Sequence, residues 1–181
     1  MSLLHSSIIL AIFMAPAVAF LTYVGVMYFT GNMWVYFDGK FIRSAQLSEK
    51  KFVRVMAKYQ PKVVISLRKS EVVENEFERR WCESFGISYF NIPLGSNTVP
   101  SDKQLQILNS LFGIYRDHGI YVHCLGGADR TSLASAIYHL SQQGKSVEEA
   151  EKQISFWFGH MAWKKPNMRK ALGYFASKNW N

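Results

Sequence analysis

A cysteine and an arginine six positions apart are the residues of this chain best placed to do covalent chemistry. They lie in a loop of mostly small residues, His123-Cys124-Leu125-Gly126-Gly127-Ala128-Asp129-Arg130-Thr131. A β-prone run at 119–122 precedes the loop, and a segment with helical spacing of apolar residues follows it at 131–140. The loop amides can therefore turn inward beside the N-terminus of a helix, where an anion is favoured. This arrangement predicts a nest for a phosphate-sized anion.

Within this nest, the two side chains would take complementary parts in phosphoryl transfer. Arg130 can donate two hydrogen bonds to two oxygens of a phosphoryl group, a geometry that lysine does not offer. The same positive field favours the thiolate of Cys124, which can attack phosphorus and hold it as a phosphocysteine. Thr131 is placed to donate a hydrogen bond to the departing sulfur, and His123 is expected to orient the loop. The residues predicted to bind the phosphate are Leu125, Gly126, Gly127, Ala128, Asp129 and Arg130.

The pattern His-Cys-x-x-Gly-x-x-Arg-Thr resembles the active-site loop of the protein tyrosine and dual-specificity phosphatase superfamily. Residues 41–46, 63–68, 153–155 and 159–160 are similar to a bacterial, membrane-anchored, dual-specificity-like subgroup. The resemblance covers about residues 31 to 175. It implies a cysteine-dependent phosphatase that uses neither a metal nor another cofactor.

The general acid is the part of this pattern that the sequence leaves open. Most members of the superfamily carry an aspartate on a separate loop upstream of the cysteine, but residues 91–98 contain no carboxylate. Asp129 is a candidate, because phosphoinositide-directed and some bacterial lipid-directed relatives have loops that end in Asp-Arg. It would protonate the leaving oxygen. The alternative is that Asp129 braces the loop by pairing with a basic group or an amide. Asp102 fits better as a first-turn carboxylate that stabilises its helix.

Two arginines near predicted strand ends are candidate substrate ligands. Arg43 and Arg68 would add positive charge beside the pocket, and surface salt bridges are the alternative for both. His160, together with Trp163 and the two lysines after it, forms either a recognition or membrane-facing patch or a packed aromatic corner. The histidines outside the loop have no cysteine or carboxylate at metal-ligand spacing, so no metal site is predicted.

Strand and helix signals alternate after the first 31 residues and indicate an α/β fold. A hairpin around Asp38-Gly39 joins strands at 34–37 and 40–43. Further strands are predicted at 63–67, 87–92 and 119–122, and helices at 47–59, 71–85, 101–117, 131–140, 146–158 and 167–175. Ser101 and Ser146 open two of these helices with capping boxes. We expect a three-layer, dual-specificity-phosphatase-like domain in which helices flank a central mixed sheet.

The start of the chain is apolar and uncharged, with no Lys, Arg, Asp or Glu in the first 37 residues. Residues 8–29 are long enough to cross a bilayer as a helix, in spite of Pro16 and Gly25. A cleaved signal peptide is the alternative, because 17–19 resemble a cleavage site. However, no basic residue precedes the apolar run, which continues beyond that site. We therefore expect a transmembrane anchor in residues 1–31 and a phosphatase domain in residues 32–181.

The charge distribution bears on the compartment and on the partners. Basic residues such as Lys40 and Arg43 follow the apolar segment and none precedes it, so the positive-inside rule predicts a cytoplasmic domain; an outward-facing domain, as in some anchored bacterial relatives, is the alternative. The resemblance to the bacterial subgroup implies a single-pass protein of a bacterial inner membrane. The net charge of +8 suits acidic substrates or an anionic membrane, and no motif points to nucleic acid. The expected substrate is a phosphoprotein or, alternatively, a lipid phosphate at the membrane. A phosphate-binding pseudophosphatase is the non-enzymatic alternative.

Overall fold

The computed structural model describes residues 3–69, 73–178 and 180, with side chains from residue 12 onward. The helices are α1 (Leu3–Thr30), α2 (Glu49–Tyr59), α3 (Val73–Ser84), α4 (Asp102–Tyr115), α5 (Asp129–Gln143), α6 (Val147–Glu151) and α7 (Asn167–Ala176), and a 3₁₀ turn covers Phe156–Phe158. The strands are β1 (Trp34–Tyr36), β2 (Phe41–Ser44), β3 (Val63–Ser66), β4 (Ser88–Asn91) and β5 (Ile120–His123). The predicted start of α3 at Glu71 lies outside the described residues.

The five strands form one mixed sheet in the order β1-β2-β5-β3-β4. β1 pairs with β2 in an antiparallel hairpin, and the other pairs are parallel. The register places Ser44, His123 and Ser66 side by side at the carboxyl edge of β2, β5 and β3. The loop that follows His123 therefore leaves the sheet at its centre, between the chain segments that follow β2 and β3.

Helices cover both faces of the sheet, as predicted. Every residue of β2, β3 and β5 is buried, which is typical of parallel strands enclosed by helices. Ile65 and Val122 face a core that includes residues of α4, α5 and α7. Val64 and Tyr121 face a second core with residues of α2 and α3. The expected α/β fold, a mixed sheet flanked by helices, is confirmed.

Local sequence signals account for several of these boundaries. The hairpin turn uses positive φ at Phe37, Asp38 and Gly39, and the two serine capping boxes form at Ser101 and Ser146. Each capping serine accepts a hydrogen bond from a backbone amide three residues later, which satisfies a free donor of the first helical turn.

The helix predicted over 146–158 is wrong beyond Glu151, where α6 ends. Two carbonyls of the following segment accept hydrogen bonds from other parts of the chain. The Gln153 carbonyl accepts from Arg43 Nη1 at 3.4 Å, and the Phe158 carbonyl accepts from Asn32 Nδ2 at 2.9 Å. These tertiary contacts favour a chain of turns over a continuous helix, which local propensity alone did not reveal.

Helix α1 is apolar along its length and contains Pro16. Its segment Ile12–Thr30 has a mean hydropathy of 1.8 and is long enough to cross a membrane. A signal sequence has the same properties, so the helix is consistent with both N-terminal interpretations.

Candidate active site

The nine-residue motif covers the last residue of β5, a loop at 124–128 and the first turn of α5, which starts at Asp129. At its centre Gly127 has a φ of +66° and lies against the segment after β2. A methyl group at Gly127 would lie 2.6 Å from the Ala45 nitrogen and 2.8 Å from the Ser44 carbonyl carbon. Both the conformation and the space therefore require glycine at this position.

The carbonyls of this loop are held from outside by donors on three other segments. The Leu125 carbonyl accepts from the Gln46 amide at 3.0 Å, and the Gly126 carbonyl accepts from Asn32 Nδ2 at 3.2 Å. Gly127 follows the same pattern, because its carbonyl accepts from Arg43 Nη2 at 2.8 Å. With the carbonyls tied outward, the amides can face the opposite side, as in backbone anion nests. The geometry supports the predicted phosphate-binding role of the loop.

Cys124 lies at the base of this loop and is almost completely buried, with an exposed fraction of 2%. Helix α5 begins at Asp129 with the positive end of its dipole, and Arg130 lies in its first turn. Arg130 is half-buried; its Nη1 donates to the Leu67 carbonyl at 3.1 Å, while its Nε makes no hydrogen bond to the described residues. Leu67 follows β3, so this contact orients the guanidinium beside the carboxyl edge of the sheet. The Thr131 hydroxyl is buried and points to the Ser44 carbonyl across a long 3.4 Å contact.

Arg43 lies beneath the loop and is completely buried. Its Nη2 donates to the Gly127 carbonyl and to Ser132 Oγ, both at 2.8 Å, and its Nη1 donates to Gln153 Oε1 at 3.1 Å. The guanidinium also stacks over the Phe158 ring at 4.2 Å. Burial lowers the pKa of Arg43 to about 10, against the opposing effects of Tyr36 and Cys124, so the side chain stays cationic at neutral pH.

These contacts correct both earlier interpretations of Arg43. A surface salt bridge is wrong, because the side chain is buried and its partners are neutral oxygens. Direct contact with substrate is also not what the geometry favours, because the guanidinium hydrogen-bonds the outer face of the loop. Arg43 therefore holds the loop, whose opposite face receives the anion.

Arg68, the second candidate ligand, forms the ion pair that was the alternative to substrate binding. Its Nη1 lies 3.3 Å from Glu74 Oε2 and donates to Gln46 Oε1 at 2.8 Å. Gln46 Nε2 in turn donates to Glu78 Oε1 at 2.7 Å. Arg68 thus belongs to a polar chain that leads toward the residue before the nucleophile.

Glu78 ends this polar chain and is a site residue that the sequence analysis missed. Its carboxylate is 1% exposed on the inner face of α3, and its Oε2 lies 3.0 Å from His123 Nε2. The two atoms are in ion-pair contact without the alignment of a hydrogen bond. A buried glutamate beside the histidine next to Cys124 places negative charge where it can hold the imidazole in position. The only sign of Glu78 in the sequence was its position as an acidic residue on the apolar face of an amphipathic helix.

Asp129 and His160 form the second contact that sequence reasoning did not find. His160 Nδ1 lies 2.9 Å from Asp129 Oδ1, and the imidazole is completely buried. Its Nε2 is also buried and makes no hydrogen bond to the described residues. The burial of His160 fits a packed corner and not an exposed recognition patch, whereas Trp163 is 73% exposed. The pair gives Asp129 the basic partner expected of a brace and also links it to a second titratable group.

Asp102, the other acid considered, begins α4 and is exposed. Hydrogen bonds from Lys178 and Tyr174 lower the pKa of the Asp102 carboxyl, so it is ionised near neutral pH. This supports its role as a helix-stabilising carboxylate. Among the residues that the structure describes, no three His, Cys, Asp or Glu side chains converge as metal ligands.

The chain matches a known family over residues 34–170, and that family is described as a DSP-PTPase phosphatase fused to NAD+ kinase. TpbA, a dual specificity protein phosphatase of Pseudomonas aeruginosa, is 26% identical over 112 residues, which are 62% of this chain and 48% of TpbA. The chain thus spans about half the length of this curated relative.

Solved structures share the fold. The TpbA crystal structure has a TM-score of 0.60 and 24% identity, over 83% of this chain and 87% of TpbA. A variant of TpbA crystallised in complex with phosphotyrosine has a TM-score of 0.61 and 23% identity, over 83% of this chain and 86% of that one. PTPMT1 has a TM-score of 0.61 and 20% identity, over 76% of this chain and 90% of PTPMT1. Because the family match covers most of its length, the chain belongs to the DSP-PTPase family of phosphatases.

Proposed function

We propose that this protein hydrolyses phosphomonoesters through a phosphocysteine at Cys124, without a metal ion. The observation that carries the proposal is that three loop carbonyls above the buried cysteine accept hydrogen bonds from residues outside the loop. They are the carbonyls of Leu125, Gly126 and Gly127. The loop amides then face an anion together with Arg130 and the N-terminus of α5.

The reaction follows in two displacement steps. The Cys124 thiolate attacks phosphorus, the S–P bond forms, and the bond to the leaving oxygen breaks. That oxygen takes a proton from the pair of Asp129 and His160. A water molecule then attacks phosphorus, returning a proton to the pair, while the S–P bond breaks and phosphate leaves. Arg130 balances the charge on the equatorial oxygens in both steps, and Thr131 donates to the departing sulfur.

We assign the proton to the Asp129–His160 pair because the two groups are in direct contact at 2.9 Å. Asp129 is 21% exposed and reaches solvent, whereas His160 is enclosed and fixes its direction. The pair replaces the separate acid loop found in most members of the superfamily.

The nucleophile can be tested with two cysteine variants. Cys124→Ser should abolish phosphate release and remove the covalent radiolabel that a phosphorylated substrate leaves after rapid denaturation at alkaline pH, where an S–P bond survives. Cys82→Ala is the matched control, because Cys82 is buried in α3 within the second core and should leave both signals in place. Undiminished turnover by Cys124→Ser would refute the proposal. Tight binding of a phosphopeptide by the unaltered chain without release would instead identify a pseudophosphatase.

Because the proposed reaction uses no metal ion, turnover should also survive EDTA.

The acid can be tested by varying the leaving group. Asp129→Asn should slow an alkyl phosphate far more than a nitrophenyl phosphate, whose leaving group needs little protonation. His160→Asn should also slow alkyl phosphate hydrolysis, because Asp129 loses the partner that holds its direction, and should leave the nitrophenyl reaction nearly unchanged. Equal slowing of both substrates by Asp129→Asn would show that Asp129 only braces the loop.

We further propose that α1 remains attached and anchors the domain at the cytoplasmic face of a bacterial inner membrane. The apolar segment Ile12–Thr30 and the basic residues that follow it support this orientation. Protease added to intact spheroplasts should leave the domain uncut, and lysed spheroplasts should lose it. Digestion in intact spheroplasts would place the domain on the outer face.

A further inference from the structure

The last turns of α1 pack against a segment that also touches the catalytic loop. The Tyr23 ring stacks on the Phe156 ring, with centroids 4.8 Å apart, and its hydroxyl donates to the Phe156 carbonyl. A methyl group at Gly159 would lie 3.4 Å from both Met27 Cε and Ala128 Cβ. Gly159 therefore lies between the apolar helix and the loop that carries the nucleophile.

Asn32 joins the same three parts by hydrogen bonds. It follows α1 by two residues and is 2% exposed. Its Nδ2 donates to the Gly126 carbonyl and to the Phe158 carbonyl, and its Oδ1 accepts from Trp34 Nε1 at 3.2 Å. The direction of α1 is thus fixed relative to the active-site loop by buried polar contacts.

The point at which α1 meets the domain agrees with the thickness of a bilayer. Residues 12–22 are all exposed, and half-buried residues begin at Tyr23. From Leu3 to the residue before Tyr23, α1 contains 20 residues and is about 30 Å long, the thickness of the hydrocarbon core, with the polar His5, Ser6 and Ser7 at its outer end. Tyr23 and Phe156 would then lie where the hydrocarbon ends.

Exposed aromatic side chains gather at this same level, from both the helix and the domain. We call them the aromatic collar, and they are Tyr28, Phe29, Trp34, Phe156 and Trp157. Tyr28 is 80% exposed and Trp157 is 73% exposed. Tryptophan and tyrosine are enriched at membrane–water interfaces, whereas soluble surfaces rarely expose so many rings together.

Two nearby ionic contacts suit the headgroup region. Lys51 Nζ donates to the Phe29 carbonyl at 2.7 Å, at the negative end of α1, so its charge lies at the level of the collar. Near Trp157, the Glu151 carboxylate is neutralised by Arg169 at 3.1 Å. The collar therefore joins apolar rings to a cation at the end of the apolar helix.

We propose that the aromatic collar lies in the headgroup region of the membrane that α1 crosses, and that the catalytic loop acts on phosphomonoesters carried by lipids of that membrane. The inference rests on the proposed phosphatase activity and on the membrane anchor. The fixed contacts among α1, Gly159 and Ala128 hold the anion nest next to the bilayer surface, where a lipid phosphate would meet it.

The test uses the full chain reconstituted in vesicles of phosphatidylcholine and phosphatidylglycerol. Phosphate release is measured from phosphatidic acid in the vesicles and from nitrophenyl phosphate in the surrounding buffer. Trp157→Asp should lower release from phosphatidic acid about tenfold, because a charged group replaces an inserted ring, and leave nitrophenyl phosphate hydrolysis unchanged. Ile114→Asp is the matched control: Ile114 is 65% exposed in the last turn of α4, at the opposite end of the sheet, and should alter neither rate.

The two substrates separate the failure of this inference from the failure of the phosphatase proposal. No release of nitrophenyl phosphate by the unaltered chain would refute the activity itself. Release of nitrophenyl phosphate without release from phosphatidic acid would refute only the lipid inference, and faster release from a soluble phosphopeptide would identify a phosphoprotein substrate instead. Equal lipid hydrolysis by Trp157→Asp and the unaltered chain would also overturn it.

A second measurement tests the position of the collar without relying on activity. Headgroup-labelled nitroxide lipids should quench tryptophan fluorescence less in Trp157→Phe than in the unaltered chain. Trp180→Phe, which removes an indole packed on α7, should leave the lipid-dependent quenching unchanged. No difference between Trp157→Phe and the unaltered chain would place the collar outside the membrane.

Discussion

Replacing Arg43 with methionine tests whether a buried cation holds the catalytic loop from its outer face. Methionine keeps much of the aliphatic volume and removes every donor. Arg43 then no longer makes its three shorter hydrogen bonds, to the Gly127 carbonyl, Ser132 Oγ and Gln153 Oε1, or the 3.4 Å bond to the Gln153 carbonyl. Gln153 Oε1 still accepts from Tyr36 and Ser135. The Phe158 ring also loses the cation stacked above it.

The magnitude follows from these contacts. Each hydrogen bond to a charged group is worth about 1.5–3 kcal/mol, so the three bonds together contribute several kcal/mol. The substitution also relieves the desolvation of a buried cation, which offsets part of this loss. Leaving a buried acceptor without a donor costs about 1–3 kcal/mol, and both the Gly127 carbonyl and Ser132 Oγ lose theirs, so we expect Arg43→Met to lower the free energy of unfolding by about 2–4 kcal/mol.

Chemical unfolding of the detergent-solubilised full chain measures the loss, and phosphate release measures its effect on the loop. Arg79→Met is the matched control: its side chain is 44% exposed on α3, and its solvent-exposed pairs with Glu76 and Glu83 should contribute little to stability. Activity should fall in Arg43→Met even under conditions in which the variant is fully folded, because the Gly127 carbonyl is free to turn inward. If Arg43→Met and Arg79→Met lose similar stability and both keep full activity, Arg43 does not hold the loop.

Three further changes test other parts of the site and the core. Gly127→Ala should lower the unfolding free energy by about 1–3 kcal/mol because of backbone strain and crowding, whereas Gly126→Ala, which faces open space, should change it little; chemical unfolding compares them. Glu78→Gln should slow phosphate release about tenfold, or about 1.4 kcal/mol, by releasing the histidine before the nucleophile. Glu76→Gln, on the exposed face of the same helix, should leave kcat unchanged, and equal rates for the two variants would contradict the assignment. Burial lowers the pKa of His139 below 6.5, so the unfolded chain binds a proton more readily than the folded one; the unfolding free energy should fall as the pH drops through 6.5 and below, and His139→Gln should reduce that fall in paired unfolding titrations.

The parts of the fold that the sequence predicts are those with local signals. The hairpin around Asp38-Gly39 needs positive φ, which Asp and Gly adopt readily, and the serine at 101 caps a helix whose next residues complete the capping box. The catalytic loop was equally readable, because Cys124 and Arg130 act through a short spacing that survives folding unchanged.

The contacts that the sequence did not reveal join residues far apart in the chain. His160 and Asp129 are brought together only when the segment after α6 folds back, and this requires the helix to stop at Glu151. The burial of Arg43 depends on an acceptor set drawn from the loop, α5 and Gln153, none of which is near it in sequence. A charged residue after a strand therefore looked like a surface group until the tertiary contacts were known.

The central place of β5 in the sheet has a consequence for folding. Along the chain β5 is the last strand, yet it lies between β2 and β3 and joins two pairs that are complete without it. Such long-range parallel pairing forms slowly, because a large loop must close before any contact compensates for the lost entropy. Until β5 inserts, the sheet remains two separate ribbons, and Cys124 has neither the Ser44 segment nor the Leu67 segment beside it. We therefore expect the surroundings of Cys124 to form in the step that completes the core.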